Sequence, residues 1–314
     1  MRILVTGGAG FIGSHIAEAA LAAGHEVCVL DNLSSGRRKN VPAAARFEQI
    51  DIRDGAAVDA LIADFRPDAV SHQAAQASVS VSMREPLLDA SVNLIGSLNI
   101  LEACRAHGVG RFVFASTGGA IYGEVPEGHA ATEETTPAPL SPYAASKLAV
   151  EGYLATYATL GVQSTVLRYA NVYGPRQDPH GEAGVVAIFA QRLLAAEPLR
   201  IYARQSPGDG GCVRDYVFVG EVVRANLAAL EGRLPHRVMN VGTGLPTATA
   251  ELLATMQAGL GTSAVAEEAG VREGDLQRSL LSPARFSAAL GGITSLADGL
   301  AATVDWFRAQ ASGS

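Results

Sequence analysis

The chain has 314 residues, 48% of them hydrophobic and 18% charged, with 34 glycines and 14 prolines spread along it; this is a globular composition and excludes a disordered chain. A net charge of −7 excludes a protein whose main work is gripping nucleic acid or an anionic membrane, because phosphate binding needs dense Lys and Arg surfaces. Three scattered cysteines, Cys28, Cys104 and Cys212, offer neither a disulfide framework nor a zinc knuckle, so a reducing cytoplasm is expected.

In chain order, Met1-Arg2 leads straight into ILV and a glycine turn, and His15 and Glu18 interrupt the apolar residues that follow. No signal peptide is expected from that start, and no run reaches the roughly 18 uninterrupted apolar residues of a membrane span. Residues 3–6, 27–31, 47–51, 69–72, 112–116 and 164–168 read as strands, several apolar on both faces, with amphipathic helices at 14–23, 56–65 and 89–107 between them. That alternation predicts an α/β fold, a doubly wound parallel Rossmann-type sheet. Beyond Tyr173 the regularity fades into glycine-rich loops around a helix at 185–196, strands at 199–202 and 213–219, a helix to about 231 and a strand at 238–241. This predicts a dinucleotide-binding domain of residues 1–172 plus about 213–245, interleaved with a smaller substrate domain of about 173–212 and 246–314.

Directly after the first strand, 7-GGAGFIG-13 satisfies both Gly7-x-x-Gly10-x-x-Gly13 and Gly8-x-Gly10-x-x-Gly13. Glycines there allow the tight turn and bring backbone close to a pyrophosphate resting on the N-terminus of the next helix. Asp31, at the tip of the second strand, lies 18 residues past Gly13, where a carboxylate accepts from both ribose hydroxyls and disfavours a 2′-phosphate, so NAD is expected. Arg37 and Arg38 are a counter-signal, read here as a solvated basic turn. Asp51 and Ile52 end the third strand and bracket the adenine, unless Asp51 merely caps a loop.

The segment 142-PYAASK-147 puts Tyr143 and Lys147 four residues apart, on one face of a helix. An adjacent ammonium favours the phenolate; bringing a tyrosine near neutrality takes about three pKa units, which is roughly 4 kcal/mol. Upstream, 112-FVFASTGGAIYGE-124 ends a strand in Ser116-Thr117 and then spends two glycines. Counting from the strand makes Thr117 the hydroxyl donor, whereas counting back from Tyr122-Gly123 lands on Gly118; the strand count is preferred because glycines absorb an insertion. The alternative is that both hydroxyls only cap the strand.

Taken together, TGGAGFIGSH, DNLSSG, HQAA, Asn93, SPYAASK, 168-RYANVYGPRQ-177, 213-VRDYVFV-219 and 240-NVGTG-244 resemble the extended short-chain dehydrogenase/reductase family, in particular its nucleotide-sugar 4-epimerases. The resemblance implies an NAD site built from Gly7, Gly10, Phe11, Ile12 and Gly13, with Asp31, Asn32, Asp51 and Ile52 toward the adenosine. It adds Gln73, Ala74, Ala75, Asn93, Ser116 and Tyr169, together with Tyr143 and Lys147 as the catalytic pair. Thr117 would polarise the sugar 4-hydroxyl, and Asn171, Arg214 and Arg272 would hold the uridine diphosphate.

The implied reaction is inversion at C4 of a UDP-hexose, UDP-galactose and UDP-glucose first, through a 4-keto intermediate. UDP-N-acetylglucosamine or UDP-glucuronate as substrate, or a dehydratase, reductase or decarboxylase on the same scaffold, are the enzymatic alternatives, and an NAD-sensing binding protein is the non-enzymatic one. A homodimer through the helices holding residues 94–101 and 143–160 is also implied. The pattern departs at 272-REGD-275, where R-P-G-D is usual, and at Gly292, where tryptophan is typical. Gln76, Ser78, Ser80 and loop 177–184 are candidates for the sugar side. His72, His129 and His180 have no metal-like spacing, and no metal is expected.

Overall fold

The structure, a computed structural model, describes residues 1–179, 184–272 and 275–312. His180 and the rest of 180–183, half of the loop 177–184, and Glu273-Gly274 of the REGD segment lie outside the described residues. In chain order the first elements are β1 (Arg2–Thr6), α1 (Phe11–Ala22), β2 (Glu26–Leu30), β3 (Arg46–Glu48), α2 (Gly55–Phe65), β4 (Ala69–His72), α3 (Val79–Arg84) and α4 (Pro86–Ala90). A π-helical turn (Ser91–Gly96) joins α4 to α5 (Ser97–Ala106), followed by β5 (Arg111–Thr117), α6 (Gly118–Ile121), α7 (Pro142–Thr159), β6 (Gln163–Tyr169) and β7 (Asn171–Tyr173). Then come α8 (Val185–Leu194), β8 (Leu199–Tyr202), β9 (Val213–Phe218), α9 (Val219–Leu230), β10 (Val238–Val241), β11 (Pro246–Ala248), α10 (Thr249–Leu260), β12 (Ala266–Ala269), α11 (Ala284–Leu290) and α12 (Leu296–Ser312).

Two compact units divide the chain. The first comprises Met1–Thr117, Pro139–Arg168 and Val222–Met239. Its sheet has the order β10-β6-β5-β4-β1-β2-β3, and β1 pairs in parallel with β2 and β4, β2 with β3, and β4 with β5. The run 3-2-1-4-5-6 is the doubly wound dinucleotide-binding order, with its topological switch beside β1. Sequence accounts for most of this. The inner strands β1, β2, β4 and β5 are buried on both faces, and Leu4, Leu30, Val70, Phe112 and Phe114 pack with Val58, Ile62 and Phe65 of α2 and Ile100 and Leu101 of α5 in one core.

Three boundaries differ from expectation by three residues, each for a local reason. Helix α1 starts at Phe11, three residues early, because Gly10 ends the turn and serves as its N-cap. Strand β3 stops at Glu48 because Asp51 accepts from the Arg53 N–H and Asp54 caps α2 by accepting from the Ala57 N–H. The helix expected at 89–107 begins at Pro86, whose ring suits a first helical position, and is interrupted by the π-helical turn. By length and composition the run Pro86–Ala106 is apolar enough to cross a membrane; here its α4 and π-helical parts pack on α7 and its α5 part on α2.

The second unit comprises Gly118–Ala138, Tyr169–Glu221 and Asn240–Ser314. It holds a β11-β9-β7 sheet and a β12-β8 ribbon, with a core of Tyr173, Phe189, Leu199, Leu252, Met256 and Val304. Asp215, fully buried on β9, accepts from the Thr243 and Gly244 N–H groups at 2.8 and 3.1 Å, from the Thr243 hydroxyl at 2.7 Å and from the Leu281 N–H at 3.3 Å. These four donors hold the NVGTG turn in place, although burial still pushes the carboxyl above its ordinary range.

Among the polar side chains wholly enclosed in the first unit is a histidine. The His72 Nδ1 lies 2.7 Å from the Thr6 hydroxyl and its Nε2 2.9 Å from the Ser97 hydroxyl. Ser97 spends its proton on the Asn93 carbonyl at 2.5 Å, so it must accept from Nε2–H, and Thr6 donates to Nδ1 while accepting from the Ala74 N–H. Burial first, then the charge of Lys147, push this imidazole down to about 3 from 6.5. Below pH 6.5 the unfolded chain therefore takes up a proton that the folded chain refuses. The stability contributed by neutral His72 is full above that pH and is lost as pH falls toward about 3, by at most about 1.4 kcal/mol per pH unit. Urea denaturation of the wild type and a His72→Gln variant at pH 7 and pH 5 should show a smaller loss on acidification in the variant.

Candidate active site

The cradle is built by contact between backbones. Gly7 has φ +67°, a Cβ on it would stand 2.7 Å from the Ala74 nitrogen, and a Cβ on Gly13 would stand 2.3 Å from the Gly7 oxygen. Phe11 and Ile12 open α1 directly behind this turn, which leaves the unpaired N–H groups and positive end of a 12-residue helix facing the strand end. Asp31, at 7% exposure, is fixed at the tip of β2 by the Ala9 N–H at 3.0 Å and the Leu33 N–H at 2.8 Å. A side chain on Gly36 would fall 2.8 Å from its Oδ1, so the missing one leaves space beside the carboxylate. A Cβ-free cradle at a helix N-terminus with a buried acid at the next strand tip fits a dinucleotide.

Arg38 stacks over Phe47, 4.5 Å from the ring centroid, which accounts for one member of the basic cluster. The Asp51 carboxylate is committed to Arg53, at 3.0 and 2.7 Å, and to the Asn32 amide at 3.0 Å. Arg53 holds its carboxyl well below the usual range. The side chain of Asp51 thus does the loop-capping work that stood as its alternative. Ile52 is buried against Gly96, where a Cβ would meet it at 2.6 Å. Gln73 donates to the Ser71 hydroxyl and to Asn226, while Ala74, followed by Ala75, donates its N–H to the Thr6 hydroxyl where β1 and β4 end side by side. Asn93 clasps the next residue: its Oδ1 accepts from the Gln76 N–H at 2.8 Å and its Nδ2 donates to the Gln76 carbonyl at 2.9 Å. Gln76 and Ser78 are thereby tied into this framework, Gln76 donating to the Ser78 carbonyl at 2.9 Å.

Helix α7 is capped by Ser141, which accepts from the Ala144 N–H at 3.2 Å, with Pro142 in its first turn. Its inward face docks on the end of β5. Lys147, 3% exposed, donates to the Ala115 carbonyl at 2.9 Å and lies 4.8 Å from the centre of the Phe114 ring. Tyr143, partly exposed, hydrogen-bonds the Thr117 hydroxyl, and Thr117 is the last residue of β5. The spacing thus brings both side chains to one strand end, but the ammonium rests on a carbonyl. Burial pushes Tyr143 up to about 12, against the Thr117 hydrogen bond and with the charge of Asp89 adding to the rise. Burial pulls Lys147 down to about 8, with Asp89 opposing it. The Ser116 hydroxyl donates to Glu151 at 2.5 Å, and Glu151 pairs with Arg168 at 2.6 Å, all three largely enclosed.

In the second unit Tyr169 is buried at the end of β6 and Asn171 opens β7. A Cβ on Gly119 would stand 2.8 Å from the Asn171 Oδ1, so the second loop glycine is what lets that amide sit where it does. Arg214 donates to the Val213 carbonyl at 3.1 Å, and the Arg272 guanidinium lies 5.5 Å from the Tyr202 ring centre. Among the described residues no group of three His, Cys, Asp or Glu could hold a metal ion. Sequence reading missed Asp89, Ser146, Glu151 and Asp215; Ser146 sat inside the YAASK segment, but no spacing rule pointed to the carboxylate it meets.

The family described as NAD dependent epimerase/dehydratase matches residues 3–242. A UDP-glucose 4-epimerase of Mycolicibacterium smegmatis is 44% identical over 98% of this chain and 99% of its own length. The crystal structure of the Thermus thermophilus UDP-glucose 4-epimerase in complex with NAD superposes with TM-score 0.93 at 55% identity, covering 98% of this chain and 99% of that one. A Thermotoga maritima UDP-glucose 4-epimerase with UDP-glucose gives TM-score 0.94 at 46% identity, covering 99% and 100%.

The cradle geometry makes a graded prediction. Gly13→Ala forces a methyl to 2.3 Å from the Gly7 oxygen, whereas Gly10→Ala places one at 3.2 Å. Urea denaturation should therefore show a loss of about 1–3 kcal/mol for the former and a smaller one for the latter.

Proposed function

This chain belongs to the NAD dependent epimerase/dehydratase family, and on that premise we infer that it is an NAD-dependent UDP-glucose 4-epimerase, interconverting UDP-galactose and UDP-glucose. The observation that carries the reading is the side-chain hydrogen bond between Tyr143 and Thr117 at the end of β5, with Lys147 one turn further along α7. It lies at the carboxyl ends of the strands that also bear the glycine cradle, where doubly wound sheets bind their ligands.

The cradle of Gly7, Gly10 and Gly13 with the first turn of α1 receives the pyrophosphate, Asp31 the ribose hydroxyls, and Asn32, Asp51 and Ile52 border the adenine side. The loop Gln73–Ala74–Ala75 is held in register by Asn93, while Ser116 and Tyr169 flank the reacting end. When bound, NAD supplies the acceptor, and then the donor, of the C4 hydride. Thr117 donates to the 4-oxygen of the sugar while Tyr143 takes its proton, giving a 4-keto sugar. Tyr143 returns the proton once the sugar has presented its other face. The phenol starts far above neutrality, so this work needs positive charge beside it, and Lys147 is the chain's own source. Asn171, Arg214 and Arg272 grip the uridine diphosphate, with the Arg272 guanidinium over the Tyr202 ring. The sugar itself is held loosely enough to turn.

The loop after Thr117 favours epimerisation over dehydration. Residues 118–123 carry no carboxylate, and the next one, Glu124, is occupied by the Gln277 and Arg278 N–H groups at 2.6 and 3.0 Å. Elimination of water would need an acid and a base at that place.

We place the enzyme in the cytoplasm as a homodimer. Its cysteines are all unpaired, and Met83, Leu87 and Ile95 stand 54%, 86% and 51% exposed along the α3–α5 run, with Tyr153 of the adjoining α7 at 44%. Analytical ultracentrifugation should find a dimer for the wild type and a monomer for a Leu87→Glu/Ile95→Glu variant.

Proton NMR of the anomeric signals after incubating the purified protein with UDP-galactose, without added cofactor, should show UDP-glucose appearing. Unchanged UDP-galactose, also with NAD added, would overturn the reading. Tyr143→Phe should lower kcat by about 10²–10⁴-fold, and Thr117→Val should lower it clearly; wild-type turnover in the latter would remove Thr117 from the mechanism. With Lys147 near 8, kcat should fall on the alkaline side as that proton leaves. In Lys147→Arg any residual activity should lack that limb, since guanidinium stays charged.

A further inference from the structure

Asp89 is a carboxylate at 0% exposure on α4, a five-residue helix far from any solvent-facing role for that side chain. Its Oδ1 accepts from the Gln76 amide and the Asn93 amide, each at 2.9 Å, and its Oδ2 accepts from the Ser146 hydroxyl at 2.7 Å. With three donors and no hydrogen bond given, both oxygens of this carboxylate serve as acceptors. Among the described residues no cation touches it. A buried anion without a contacting partner is costly to fold around and needs a nearby opposite charge. The neighbour that supplies one is Lys147, adjacent to Ser146 in sequence and itself enclosed, with its ammonium on the Ala115 carbonyl and not on any carboxylate.

Asp89 also ends a continuous polar path. Thr6 of β1 meets His72 of β4, His72 meets Ser97 of α5, and Ser97 donates to the Asn93 carbonyl. Asn93 donates to Asp89, which receives Ser146 of α7. The strand that leads into the glycine cradle is thus connected, bond by bond, to the helix carrying Tyr143 and Lys147. The π-helical turn makes the link possible by presenting Asn93 toward both Gln76 and Asp89, the kind of local irregularity found at functional sites.

We propose that Asp89 is a positioning residue for the acid/base pair: through Ser146 it fixes the register of α7, and as a buried counter-charge it keeps Lys147 protonated beside Tyr143. The proposal rests on the epimerase reading of that pair. Among the charged and titratable groups on the elements packed around Asp89, Tyr143 and Lys147 face it from α7. Glu151 of α7 is taken by Arg168, Arg84 and Glu85 are exposed, the π-helical turn carries no titratable group, and His72 beyond it is neutral. The negative charge of Asp89 raises both Tyr143 and Lys147, so its removal must lower both.

The test is the pH dependence of kcat for UDP-galactose conversion by the NAD-loaded wild type, Asp89→Asn and Ser146→Ala. In Asp89→Asn both limbs of the profile should move to lower pH, each by about one unit, with kcat at pH 8 down about 10-fold and KM within about 2-fold. In Ser146→Ala the carboxylate remains, so kcat should fall about 3–10-fold with both limbs unmoved. A merely structural role would lower the height of the Asp89→Asn profile without displacing it, and that result, or a wild-type profile, overturns the proposal. If Asp89→Asn does not fold, as judged by its circular dichroism, Ser146→Ala decides: wild-type kcat overturns the anchoring of α7. A wild type that converts no UDP-sugar overturns the epimerase reading instead, so the two failures are distinguishable.

Discussion

An ammonium enclosed by protein is tolerated only where a hydrogen-bond acceptor and some opposite charge make up for the water it has lost. Lys147 meets that condition with a strand carbonyl, an aromatic face and a carboxylate held one residue away through Ser146. Nearly everything around the site follows from satisfying it. Helix α7 must lie against the end of β5, β5 must run on to Thr117, and the segment Pro86–Ala106 must bend through a π-helical turn so that Asp89 and Asn93 face inward. Even Glu151, one turn beyond Lys147 on α7, is drawn into a buried pair with Arg168 that ties the helix to β6.

The first unit was largely legible because its signals are local. Apolar runs bounded by glycine, an acid at a strand tip and a Tyr-x-x-x-Lys helix each state their structure within a few residues, and the parallel sheet order follows from the alternation. What escaped was polar and buried: Asp89, Ser146, Glu151 and Arg168 meet across 57 and 17 residues of chain, and nothing in their neighbourhood marks them as partners. Ser116 illustrates the limit. Its position at the strand end is plain from the sequence, but the direction of its hydroxyl, toward Glu151, is set by an element 35 residues further on.

The second unit was less legible for a different reason. Its short strands β7, β9 and β11 bury few residues each, and their positions are fixed by single polar side chains. Asp215 alone gathers Thr243, Gly244 and Leu281. A sequence rule sees VRDYVFV and NVGTG as separate motifs, whereas the carboxylate makes them one object. The same holds for Gly119 and Asn171, which share space that only a glycine leaves open.

The division of the chain into alternating segments bears on how the protein is made. The first unit takes its last segment from Val222–Met239, and the sheet acquires its outer strand only with β10, Val238–Val241, out of 314 residues. On the ribosome, the sheet of the first unit therefore cannot be completed as the N-terminal portion emerges. Its β6 edge stays bare while about 70 residues, including most of the second unit's strands, are still being added. Neither unit can be cut out or exchanged as a contiguous piece of the gene, so changes in what the enzyme accepts must be written residue by residue into segments that alternate along the chain.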